Sequence, residues 1–404
     1  MEENTVMIVS EKAKNISPSL TLAITAKAKQ MAKEGIDIIS FGAGEPDFDT
    51  PVNIKEAAKK AIDLGLTRYT PASGIIELKR AIIEKFKKDN NLFYTIDQVI
   101  VSTGAKQCLS NVFQAVLNYG DEVLIPVPYW VSYPELVRLY GGVPIFVECQ
   151  EKDNFKYTIE AMEKKVSDRT KCIIINSPNN PTGVVYSKEE LLAIADFAKR
   201  HDLLIISDEI YEKLIYEDNI HISIASLNED AYKRTIVVNG VSKSYAMTGW
   251  RIGYAAGDEH IIKLMSSIQS HTTSNPTSVA QYAALEALTG PQEDLYNMVK
   301  EFEKRKNYMI NRINSINNLS CISAEGAFYI MLNVSKYYGR KIDNKVINNS
   351  MEFAECLLSE EKVAVIPGIA FGLDDYVRLS YAVSMKEIEI GLNRIENFIS
   401  QLLN

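Results

Sequence analysis

The stretch Leu203-Leu204-Ile205-Ile206-Ser207-Asp208-Glu209-Ile210-Tyr211 decides the fold of this chain. Four consecutive apolar side chains leave no polar face for solvent, so a strand built from them must be covered on both sides. Strands covered in this way belong to parallel sheets flanked by helices. Six other short apolar runs, at 98–102, 122–125, 144–147, 172–175, 235–238 and 252–255, predict further strands of the same kind beside the one at 203–207. Between them the spacing becomes helical: Leu109, Val112, Phe113, Val116 and Leu117 form one core-facing stripe. Ser187 and Glu190 make a capping box that opens another helix. The alternation predicts an α/β fold, a mixed, mostly parallel sheet with helices on both faces.

Downstream the pattern changes. Helical periodicity over about 291–315, 349–360 and 385–403, the last opened by Ser384 and Glu387, surrounds short strands near 327–333, 363–366 and 376–380. This predicts three parts: an N-terminal arm at 1–48 that joins a small α+β domain, a large domain at 49–290, and the rest of the small domain at 291–404. Gly290-Pro291 marks the break between the last two. The 404 residues carry a formal charge of −8 and contain no block of Lys or Arg, which argues against nucleic acid or an anionic membrane as partner. No run reaches the roughly 18 apolar residues of a membrane helix, and Met1-Glu2-Glu3-Asn4 does not open a secretory signal. Five scattered cysteines and four histidines show neither paired nor metal-ligand spacing. A cytoplasmic protein without a metal is expected.

Three segments carry chemistry. Asp208 ends an apolar strand, which puts a carboxylate at the carboxyl edge of the sheet, where α/β proteins bind ligands; from this segment alone, capping a following helix is the favoured reading. Thr103-Gly104-Ala105-Lys106 joins a strand to a helix, and its small residues suit either a phosphate at the helix N-terminus or tight packing alone. Lys243 follows an apolar strand among small and hydroxylated residues, with Arg251 eight positions on. A lysine beside a cation and poorly solvated has a lowered pKa and becomes a nucleophile. A lysine, a carboxylate and a phosphate site on one sheet are what pyridoxal phosphate requires.

Eight motifs then bring a family into view: Phe41-Gly42-Ala43-Gly44-Glu45-Pro46-Asp47-Phe48, Tyr69-Thr70-Pro71-Ala72-Ser73-Gly74, Gly104-Ala105-Lys106-Gln107, Pro128-Tyr129-Trp130-Val131-Ser132-Tyr133-Pro134, Asn176-Ser177-Pro178-Asn179-Asn180-Pro181-Thr182-Gly183, Ser207-Asp208-Glu209-Ile210-Tyr211, the segment from Ser242 to Arg251, and Tyr376-Val377-Arg378-Leu379-Ser380. In this order, over nearly the whole chain, they resemble class I aminotransferases of the pyridoxal-phosphate enzymes of fold type I, most narrowly the Ib branch of bacterial aspartate aminotransferases. The resemblance implies a homodimer acting on amino acids and 2-oxo acids, with pyridoxal 5′-phosphate as cofactor.

The same resemblance implies residue roles. Lys243 carries the cofactor's aldehyde and moves the substrate's proton, Asp208 pairs with the pyridine nitrogen, and Tyr211 and Asn180 bond its phenolic oxygen. Trp130 stacks on the ring. Gly104, Ala105, Ser242 and Arg251 hold the phosphate, with Tyr69 reaching it from the neighbouring subunit. Arg378 binds the substrate α-carboxylate, aided by the Gly42 N–H and Asn180. For the distal carboxylate of aspartate, Lys106 is implied, with hydroxyls from Pro18-Ser19-Leu20-Thr21, because 270–275 holds no arginine. Ser17 stands where some relatives that also accept prephenate carry a lysine, which weakens a prephenate role without removing it. The expected reaction moves the amino group of L-aspartate to 2-oxoglutarate by a ping-pong route. An aromatic or broad-specificity aminotransferase and a C–S β-lyase are the alternatives on this scaffold.

Overall fold

The computed structural model of the protein describes residues 9–10, 14, 16–18, 20–342 and 345–402. After a two-residue strand β1 (Ile39–Ser40), the central sheet is built from β2 (Val99–Ser102), β3 (Glu122–Val127), β4 (Val143–Glu148), β5 (Thr170–Asn176), β6 (Leu204–Asp208), β7 (Thr235–Gly240) and β8 (Gly253–Ala256). Its order is β2-β8-β7-β6-β5-β3-β4. All seven expected strands are present, each within two residues of its anticipated bounds. The run from β7 through β6, β5 and β3 to β4 is parallel, whereas β8 runs antiparallel to both β2 and β7.

Alternate residues of each strand feed opposite cores. In β5, Cys172 and Ile174 join one cluster while Ile173 and Ile175 join another, and Ile206 and Ile205 of β6 divide in the same way. At 25 cal/mol per Å² such two-sided burial is the main stabilising term. One strand departs from the expectation: β4, at one of the sheet's two edges, is only partly covered and leaves Val143 at 40% exposure.

Helices α1 (Leu20–Lys33), α2 (Val52–Asp63) and α3 (Ile76–Asn90) precede the sheet. Helix α4 (Ala105–Val116) follows β2 and buries Leu109, Val112 and Phe113 on one face of the sheet. Helix α5 (Ser132–Leu139) follows β3, and α6 (Lys188–Arg200) opens on the Ser187–Glu190 capping box, in which each residue bonds the other's backbone N–H. Helices α7 (Glu259–Thr272) and α8 (Ser278–Thr289) complete this part, and α9 (Glu293–Ser315) begins just past Gly290-Pro291.

The remaining strands are short: β9 (Ser320–Cys321), β10 (Tyr329–Asn333), β11 (Lys341–Ile342), β12 (Lys345–Val346), β13 (Val363–Ala364), β14 (Ile366–Pro367) and β15 (Tyr376–Ser380). A four-stranded sheet forms in the order β14-β15-β10-β9, and the N-terminal β1 pairs in parallel with β13. Helix α10 (Ser350–Glu361) and α11 (Met385–Gln401), the latter opened by the Ser384–Glu387 box, cover it. No described helix is long and apolar enough to cross a membrane.

Candidate active site

The parallel strands end on a common edge. Asp208 of β6 lies beside Asn176 of β5, Gly240 of β7 faces Gly253 of β8, and Gly253 faces Ser102 of β2. Because β8 is antiparallel, the connection from β7 to β8 starts and finishes at this edge. It carries both Lys243 and Arg251 there. A cavity of about 680 Å³ opens at the same place, bounded on its far side by Arg378 of β15 and by α1.

One end of the cavity suits an anion. Gly104 has φ +82°, and a Cβ on it would lie 2.3 Å from a guanidinium nitrogen of Arg251. A Cβ on Gly253 would lie 2.2 Å from the Ala105 nitrogen, so only glycine lets the first turn of α4 come so near β8. Arg251 is itself held at φ +57° with a guanidinium N–H donating to the Thr248 carbonyl at 2.8 Å. The free N–H groups at the start of α4, the Ser242 hydroxyl and the Arg251 cation therefore converge.

At the opposite end lies Asp208, 4% exposed. Its Oδ2 accepts from the Tyr133 hydroxyl at 2.8 Å and its Oδ1 from the Ile210 N–H at 3.3 Å. Burial raises its pKa to about 6, against the Tyr133 and Ile210 bonds and the Lys243 charge, which lower it. The helix it could have capped does not form; residues 210–213 are turns, and the carboxylate lines the cavity. Tyr211 lines it too, with its hydroxyl 2.9 Å from that of Tyr329 and its pKa pushed well up by burial.

Glu209 and Glu212, interleaved with these two, turn away from the cavity. Glu209 accepts from Ser207 and Ser223 hydroxyls at 2.8 and 2.7 Å and lies 3.1 Å from the His221 imidazole. Glu212 is ion-paired with Lys85 of α3 and accepts from Asn90 at 2.9 Å. Oxygen and nitrogen atoms of Glu209, Glu212 and His221 lie within 4.8 Å of one another, but the Lys85 ammonium already balances Glu212.

Lys243 stands between the two ends. Its Nζ donates to the Gly44 carbonyl at 2.6 Å and lies 5.9 and 6.0 Å from the rings of Tyr211 and Phe328. Burial lowers its pKa to about 8; Glu45 opposes this, and the Arg251 and Arg378 cations add to it. Arg378 is buried across the cavity, its two terminal nitrogens donating to Asn180 Oδ1 at 3.0 Å and the Gly42 carbonyl at 3.2 Å. The Arg378 Nε has no partner, and burial lowers the residue's pKa. An uncompensated buried guanidinium beside an open cavity is a receptor for a carboxylate.

Lys106 also lines the cavity, its ammonium 4.9 Å from the Trp130 ring, with a pKa lowered by burial and by Arg251. Gly42 meets Arg378 through its carbonyl, while its N–H donates to Ser40 Oγ at 3.4 Å. Tyr69, 90% exposed, is not part of this chain's cavity wall. Thr21 does line the cavity, Ser19 lies outside the described residues, and the Ser17 N–H donates to Glu135 at 3.1 Å. Tyr133 and Tyr329, which touch Asp208 and Tyr211, were assigned no role from sequence; Tyr133 is visible there only as the third residue after Trp130, and Tyr329 reads as an ordinary strand residue.

A family model for aminotransferases of class I and II matches residues 36–395. Among curated relatives, an aspartate aminotransferase of Bacillus sp. (strain YM-2) is 50% identical over 97% of this chain and 99% of its own length. A probable aspartate/prephenate aminotransferase of Rickettsia conorii is 49% identical over 97% of this chain and 98% of its own. Among solved structures, the aspartate aminotransferase from Rhizobium meliloti superposes with a TM-score of 0.95 at 41% identity, covering 98% of this chain and all of that one. The Thermus thermophilus aspartate aminotransferase with maleate gives 0.91 at 42% identity, covering 97% and 100%.

Proposed function

This chain belongs to the aminotransferases of class I and II, and we propose that it transfers the amino group of L-aspartate to 2-oxoglutarate, giving oxaloacetate and L-glutamate. The observation that carries the reading is the grouping of Lys243, Asp208, Arg251 and Arg378 around one cavity. Its donors fit pyridoxal 5′-phosphate: a glycine cradle with an arginine at one end, a buried carboxylate at the other, and a lysine of lowered pKa between them. Gly104, Ala105, Ser242 and Arg251 would hold the phosphate, Asp208 the ring nitrogen, Tyr211 and Asn180 the phenolic oxygen, and Trp130 the ring face. Lys243 would hold the aldehyde.

When bound, the cofactor supplies an electron sink for the charge left as the substrate's α-proton departs. The chain's own groups do the rest. Arg378 fixes the α-carboxylate through two parallel N–H groups, which orients the Cα–H bond. Lys243 Nζ, its pKa lowered by burial to about 8, would take that proton once the substrate's amine has displaced it. Asp208 keeps a negative charge where a positive one must persist. Lys106 receives the distal carboxylate, which makes dicarboxylic substrates the preferred ones. Tyr69, exposed here, is assigned to the partner's phosphate site in a homodimer. The strands of the four-stranded sheet and their helices support a small domain formed by 1–48 and 291–404 beside a large one at 49–290.

A half-reaction tests the proposal. Holo-protein receives L-aspartate, L-tyrosine or L-alanine with no oxo acid present, and absorbance follows the cofactor's conversion from aldehyde to amine form. Rapid conversion by aspartate above all is expected, and Lys106→Met should abolish that preference while sparing tyrosine. Preference for tyrosine would move the substrate assignment to the aromatic alternative. Pyruvate and ammonia from cysteine conjugates, with no amine form, would replace transamination by β-elimination.

A further inference from the structure

Asp208 must stay ionised in a place that favours its neutral form. Buried at the end of β6, it sees few donors: the Ile210 N–H at a long 3.3 Å and the Tyr133 hydroxyl at 2.8 Å. The groups that face it are Lys243 from the β7–β8 connection, Glu209 and Tyr211 from the segment after β6, and Cys108 from α4. Of these only Lys243 favours its charge, and in the holoenzyme that nitrogen is committed to the cofactor. Within the chain, Tyr133 is then the closer of the two donors to the carboxylate, the other being the Ile210 N–H. Tyr133 sits in the first turn of α5, 1% exposed, with its ring edge-on to Trp130 at 5.3 Å between centroids.

We infer that Tyr133 is a positioning residue of this site: its hydroxyl holds Asp208 ionised and turned toward the cofactor nitrogen while its ring sets the tilt of Trp130. The assignment rests on the proposed function for the identity of the ring, but not for the hydrogen bond. One short helix start thus couples the Asp208 carboxylate to the Trp130 indole. The geometry explains why a tyrosine, and not phenylalanine, occupies this buried position: its O–H donates to a carboxylate.

The test measures the Asp208 carboxyl directly, in apo-protein, by its infrared C=O band, identified by loss in Asp208→Asn. In the wild type the band should grow as the pH falls through about 6. In Tyr133→Phe the midpoint should rise by about one pH unit, roughly a tenfold change in the ionised-to-neutral ratio. Pyridoxal-phosphate affinity at pH 7 should fall several-fold, with its low-pH limb displaced upward by the same amount. Replacement of Tyr133 by difluorotyrosine, a stronger donor of the same shape, should move the midpoint down, and covers the case in which the phenylalanine variant does not fold. An unmoved midpoint in either folded variant overturns the inference, as would a change in melting temperature alone. Failure of the wild type to bind the cofactor would instead strike at the proposed function and leave the carboxyl titration standing.

Discussion

Adding one methyl group at Gly104 separates cofactor anchoring from folding. At φ +82° and ψ 161° the backbone there lies in a region that costs an alanine about 1–3 kcal/mol. The new Cβ would stand 2.3 Å from an Arg251 nitrogen, against the ~3.5–4.0 Å of an ordinary contact. The guanidinium, the end of a long flexible side chain, retreats by more than an ångström, out of reach of a phosphate on α4. A charge-assisted hydrogen bond is worth about 1.5–3 kcal/mol, so pyridoxal-phosphate affinity should fall by ~10- to 100-fold. Equilibrium dialysis of apo Gly104→Ala against the cofactor measures this, with Arg251→Gln as companion. Both variants act through the same guanidinium, so the double variant should lose little more than Arg251→Gln alone. Cofactor affinity within twofold of wild type, or losses that simply add, would refute the reasoning.

Other outcomes follow from the same geometry. Asp208 is a stability cost near neutral pH: its folded pKa of about 6 exceeds the unfolded 3.8, so folded protein binds the extra proton between those values and stability falls as pH rises through them. At about 1.4 kcal/mol per pH unit, apo Asp208→Asn should gain at most about 3 kcal/mol at pH 7, seen in denaturant titration, while losing transamination; equal stability of the two at pH 7 would contradict the raised pKa. Lys243 has the opposite profile, its folded pKa of about 8 lying below the usual 10.5. Its contribution improves as pH rises from 8 to 10.5, and its acylation in apo-protein should accelerate through pH 8, in contrast to surface lysines. Finally, co-refolding inactive Lys243→Ala with Tyr69→Ala should recover about a quarter of wild-type activity if each site takes its tyrosine from the partner of a symmetric dimer; no recovery would return Tyr69 to its own subunit.

Much of this was legible in the sequence because the central strands are apolar on both faces, a pattern few other arrangements tolerate. Asp208, Lys243 and Arg251 stood out since each follows or precedes such a strand, and strand ends share an edge. What was not legible depends on contacts between distant segments. The antiparallel course of β8 is invisible in Gly253-Tyr254-Ala255-Ala256, whose side chains suit either direction. Nor could spacing reveal that Tyr133 reaches Asp208, 75 positions away. The bond from Arg378 to the Gly42 carbonyl was likewise hidden, since a residue number does not say which way a peptide faces.

The reversal at β8 has a consequence for how the site tolerates change. In an all-parallel sheet the chain leaving β7 would travel back under the sheet before the next strand began, and successive anchors would be spaced by a whole helix. Here the lysine and the arginine sit on one short hairpin whose two legs are hydrogen-bonded at Gly240 and Gly253. Their separation is a local property, like the gap between two teeth on one comb. Loosening of the surrounding layers should blur Asp208 or Arg378, each borne by a different strand, long before it alters the distance between these two.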